Sequence, residues 1–201
     1  MTSRYASYQR IGAAAGIGAP LLAFTCILTA IASYPTFSWT DNALSDLGVI
    51  PGLTGFIFNF GLIISGLLSL VFAVLGLGIF LRMNTAGWVG SAVFASANLA
   101  LTAIGIFNEN FSSIHFLVSV AFFMLAPISL FILAYDFWFR QHRGMAIFTF
   151  LTGFIAALPW LLQFMFNYVP NVAVPEFLSG LAVSAWAIVL ANKILRRSVT
   201  S

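Results

Sequence analysis

Six apolar runs, each near or above the ~20 residues that cross a bilayer as a helix, dominate this chain of 201 residues. They cover roughly 11–33, 53–81, 86–107, 114–137, 144–166 and 175–194. Charged residues make up only 6% of the chain, against about 25% in a soluble domain. So few charges cannot cover a water-facing surface, and lipid must solvate most of the outside. The expected architecture is all-α: a polytopic, multi-pass six-helix bundle forming one transmembrane domain over 1–201 in the cell membrane. The second run is longer than a bilayer needs, so it should tilt or project.

Charge placement predicts topology. Arg4, Arg10, Arg82, Arg140, Arg143, Lys193, Arg196 and Arg197 all fall on one side of a six-span arrangement. Asp41, Asp46, Glu109 and Glu176 fall on the other. Short loops rich in Lys and Arg stay in the cytoplasm, so both termini are expected there and the acidic loops outside. This scattered basic charge anchors helices and gives no nucleic-acid surface. Asp136 lies on the basic side, four residues before Arg140, the spacing of a helical ion pair. Arg4, Arg10 and Ala30-Ile31-Ala32 also resemble a signal peptide, but the apolar stretch between them exceeds the usual 7–15 residues and reads as a first span. Cys26, the single cysteine, reads as a small core residue.

Small and polar residues recur at helical spacing. Ser91, Ala95, Asn98, Thr102, Gly105 and Glu109 fall on one face of the third run, and Asn59, Leu62, Gly66, Ser69, Ala73 and Gly76 on one face of the second. The first run carries the GxxxG pair Gly12 and Gly16. In lipid such faces pack against other helices. Asn98, near mid-membrane, needs a hydrogen-bond partner; a tie between two helices is the simpler expectation, a wet cavity the other. Pro127 and Pro159 should kink the fourth and fifth helices.

The polar chemistry gathers in two outward loops. "SWTDNALSDLGVIPG", residues 38–52, holds Asp41, Asn42, Ser45 and Asp46. "FNENFSSIH", residues 107–115, holds Asn108, Glu109 and His115. Carboxylates and His serve as metal ligands and as acids or bases. Asp46, Glu109 and His115 are therefore the catalytic candidates. Asp41, Ser45, Asn59, Asn98, Thr102 and Asn108 are the ligand-binding candidates. Asp46 and Glu109 are expected to meet, sharing a proton, a cation or a donor. Asp41 and Ser45 also suit the N-cap of a short helix closed by Gly48. Motifs of acyl and phosphoryl transfer and HExxH are missing, and neither a metal nor a cofactor is identified. His142 falls on the opposite side from His115, which argues against a bis-His haem.

The segments "SDLG" at 45–48, "FNFGLIISGLL" at 58–68, "IGIFNEN" at 104–110 and His115 with "FLVSVAFF" resemble the DUF998 family of prokaryotic integral membrane proteins, whose function is unassigned. The resemblance runs from about 10 to 195. It implies a polytopic bundle with signature residues Ser45, Asp46, Gly48, Asn59, Gly61, Glu109 and His115. Asn108 stands where many members of the family have Pro before the acidic residue. Three function classes fit: a site that binds or processes a lipid headgroup or small polar ligand; an accessory subunit docked on a larger membrane complex; and a small-solute transporter with Asn98, Thr102 and Glu109 along its path. The partners expected are membrane lipid and, in the second class, a membrane protein.

Overall fold

A computed structural model describes residues 3–78 and 85–200. The chain forms α1 (Ser3–Ala32), α2 (Leu53–Val71), α3 (Thr85–Ile106), α4 (Ser113–Phe139), α5 (Arg143–Phe166) and α6 (Ala173–Thr200). A π-helical segment, Phe72–Gly78, continues α2. The last residues of the long second run, 79–81, lie outside the described residues, as does Arg82. Six helices are long and apolar enough to cross a membrane, and the chain is a multi-pass membrane protein. No strand occurs among the described residues. The proline residues Pro20, Pro127 and Pro159 lie inside α1, α4 and α5, which run on past them.

Each helix packs on its neighbours in the chain, and α6 returns to α1, closing a ring. Glycines set the approach of several pairs. A Cβ on Gly12 would fall 2.3 Å from the backbone nitrogen of Gly76, and one on Gly16 would strike the Phe72 ring. The GxxxG face of α1 is therefore filled by the π-helical segment. Gly61 meets Cys26 across α1 and α2, and Gly66 meets Thr102 across α2 and α3. Such backbone proximity is how helices associate in lipid, where apolar transfer supplies no drive.

The two expected small-residue faces turn largely inward: Ser91, Asn98, Thr102 and Gly105 of α3 are buried, as are Leu62 and Gly66 of α2 and Ala73 and Gly76 of the π-helical segment. Asn59, Ser69 and Ala95 are half-buried, and Glu109 lies beyond its helix, because α3 ends at Ile106 and Glu109 opens a 3-10 turn, Glu109–Phe111. Towards the ends that carry the termini, Phe72, Phe94 and Trp186 fill the axis in edge-to-face contacts, with centroids 5.2 to 6.3 Å apart. The Trp186 indole donates to Thr149 Oγ1 at 3.0 Å, fixing α5 to α6. At that end Arg140 Nε lies 2.8 Å from Asp136 Oδ2, the expected i,i+4 ion pair.

Candidate functional site

At the opposite end, the loop after α1 folds back over the ring. Its 3-10 turn, Ser45–Val49, places Ser45, Leu47 and Gly48 in buried positions. Two side chains pin the turn from neighbouring elements. The amides of Asn59 (α2) and Asn108 both donate to the Gly48 carbonyl, at 2.8 and 3.3 Å. Asn108 also accepts from the Asn110 backbone N–H. A side chain on Gly48 would collide with Asn59 Oδ1, 2.6 Å from its Cβ position. These residues shape the loop that carries the acids.

Three carboxylates converge there. Ser45 Oγ donates to Glu109 Oε1 at 2.7 Å, joining the two polar loops. Asp46 lies close enough to Glu109 to act on its carboxyl, while its Oδ2 accepts from the Asn42 amide at 2.8 Å and the Ala43 N–H at 3.0 Å. Glu176, from the first turn of α6, accepts from the Leu44 N–H at 2.6 Å. It stands close enough to Asp46 and Glu109 to feel their charge. Burial, reinforced by the neighbouring Asp46, pushes the Glu109 carboxyl up; the Ser45 donor and His115 work against that rise.

The other candidates separate from this cluster. Asp41 is exposed and bonded to Ser38 and Thr40, whose hydroxyls hold its carboxyl below the usual range. Neither Asp41 nor Ser45 caps the turn: Leu44 occupies the cap position without a side-chain bond, and Ser45 is spent on Glu109. His115 is buried, with Nδ1 2.8 Å from the Phe107 carbonyl. A carbonyl only accepts, so Nδ1 carries the proton and Nε2 faces Ser119 Oγ at 3.4 Å. His115 is thus satisfied locally. Asn98 does not tie two helices; its amide donates to Phe94 O one turn back, and Thr102 Oγ1 likewise bonds Asn98 O. Among the described residues no group of three His, Cys, Asp or Glu could hold a metal ion.

Beneath the acids the ring holds a partly open cavity of about 100 Å³. On that scale one water needs roughly 10–15 Å³. Ser45 and Glu176 border it at the acidic end, Phe94 at the far end, and Asn98, Ser65 and Ser119 along the walls. Most of the remaining lining is apolar, from α1, α2, α4 and α6. Sequence reasoning left Glu176 out of the site. Its position at the start of a sixth span, level with Glu109, was the available signal.

A family model described as "Protein of unknown function (DUF998)" matches residues 17–193. The chain belongs to the DUF998 family. No curated protein and no solved structure matches it. Within this DUF998 chain, the matched span contains every residue of the acidic cluster and the whole cavity lining.

Proposed function

We propose that this DUF998 protein resides in the cell membrane with both termini in the cytoplasm, and that its carboxylate cluster binds the polar head of a membrane lipid or a small polar ligand at the outer face. The placement follows the positive-inside rule. One observation carries the binding reading. Ser45 and Glu176 belong both to the acid cluster and to the wall of the partly open cavity beneath it. A loop that merely capped a bundle would have no use for acids at a cavity mouth, since a buried charge is costly unless matched.

The small-residue faces of α2 and α3 are consumed inside the ring, which favours this reading over an accessory subunit that docks through them. Phe72, Phe94 and Trp186 fill the axis beyond the cavity, which favours a blind pocket over a transport path. Catalysis would fall to the Asp46–Glu109 pair as a shared acid and base, with His115 reaching the cavity only through Ser119.

Native mass spectrometry of the detergent-solubilised protein tests the reading, beside an Asp46→Asn, Glu109→Gln double variant. A lipid or polar ligand should travel with wild type and be lost from the variant. Equal retention by both would place the ligand elsewhere and overturn it.

A further inference from the structure

The shape below the acids narrows the ligand class. Along α6 the cavity lining runs from Glu176 to Ala187, about 16 Å at 1.5 Å per residue. That is about half of the ~30 Å hydrocarbon core, the depth of one leaflet. The walls are mostly apolar, with Ser65 and Ser69 of α2, Asn98 of α3, Ser119 of α4 and Ser184 of α6 set among them. The Ser65 hydroxyl, 1% exposed, borders the cavity and has no hydrogen-bond partner among the described residues. Dry voids are lined by apolar atoms; the orphan hydroxyl calls for a water or other polar group beside any chain that fills the space.

The charge at the mouth is of one sign. Asp46, Glu109 and Glu176 meet there, while Arg10, Arg140, Arg143, Lys193 and Arg196 belong to the opposite helix ends. Three acids this close cannot all ionise together, and a cation is the partner that relieves their repulsion.

We infer that the occupant is a single-chain cationic amphiphile: an amine-bearing head held by Asp46, Glu109 and Glu176, and one hydrocarbon chain in the cavity beneath. This inference rests on the cluster being the binding site and adds the tail and the sign of the head. Gly180 provides a clean probe of the tail. It lines the cavity, and a Cβ there would meet only Phe24, at 3.9 Å. Gly180→Phe should therefore fill the space with little disturbance of the ring.

The experiment follows the thermal midpoint of the full chain in phosphatidylcholine nanodiscs. Hexadecylamine, hexadecanoate and butylamine are titrated in turn, since a ligand of the native state raises the midpoint. Hexadecylamine should raise it, with the other two at least tenfold weaker. Gly180→Phe should abolish the response to hexadecylamine, and Glu109→Gln with Glu176→Gln should weaken it at least tenfold. Butylamine matching hexadecylamine, with Gly180→Phe inert, would overturn the tail and leave the headgroup site standing. Hexadecanoate matching the amine, with the Glu variants inert, would overturn both the cationic head and the site at the acids. Absence of any response in wild type would overturn the inference. Should Gly180→Phe fail to fold, the chain-length comparison in wild type decides alone.

Discussion

At the scale of single residues, Glu109 is the most informative position. Its carboxyl is raised by burial and by Asp46, so the folded protein favours the protonated form. The linked stability is present below the ordinary glutamate range and is lost as pH rises through the raised value. Without ligand, the wild-type midpoint should fall from about pH 4.5 upward. Glu109→Gln should flatten that slope and be the more stable protein at neutral pH; a midpoint-against-pH series for both proteins checks this. Ser45→Ala removes the donor that opposes the rise, so the declining limb should move to higher pH. The same variant should cost about 1–3 kcal/mol, the range for a lost bond to a charged or buried group, read from denaturant unfolding in detergent.

At the scale of helices, two glycines make opposite predictions. Gly66→Ala would force its Cβ to within 2.8 Å of the Thr102 backbone nitrogen and 2.9 Å of the Asn98 carbonyl. Backbone cannot yield cheaply, so α2 and α3 must part, at about 1–3 kcal/mol. Gly18→Ala meets nothing within 4 Å and should be neutral or slightly stabilising; thermal midpoints of the pair decide. These packing faces were legible in the sequence because small residues at helical spacing have one main use in lipid. The polar details were not legible to the same degree. Asn98 was expected to bond across helices, yet a carbonyl four residues back is always within reach and satisfied it. Ser45 looked like a cap, but its hydroxyl found Glu109, 64 residues away. Glu176 meets Leu44 across 132 residues, a pairing no local pattern reveals. Asp46 and Glu109, by contrast, were foreseeable neighbours, since both loops emerge at one end of the bundle.

At the scale of the whole molecule, topology can be tested with single cysteines, because Cys26 is buried. An impermeant maleimide applied to intact cells should label Asn110→Cys, at the acidic end, and spare Gly144→Cys, at the other. The reverse pattern would invert the protein in its membrane and turn the cluster towards the cytoplasm. The closed ring has a further consequence, for synthesis. Its seam joins the first helix to the last, and the backbone bonds Asn171 N–H to Thr40 O and Ala173 N–H to Asn42 O stitch that seam at the acidic end. A nascent chain that has delivered five helices still has an open-sided groove and lacks Glu176. The acidic cluster is therefore completed only when the sixth helix arrives, and a chain truncated before Ala173 should be handled by the cell as unfinished.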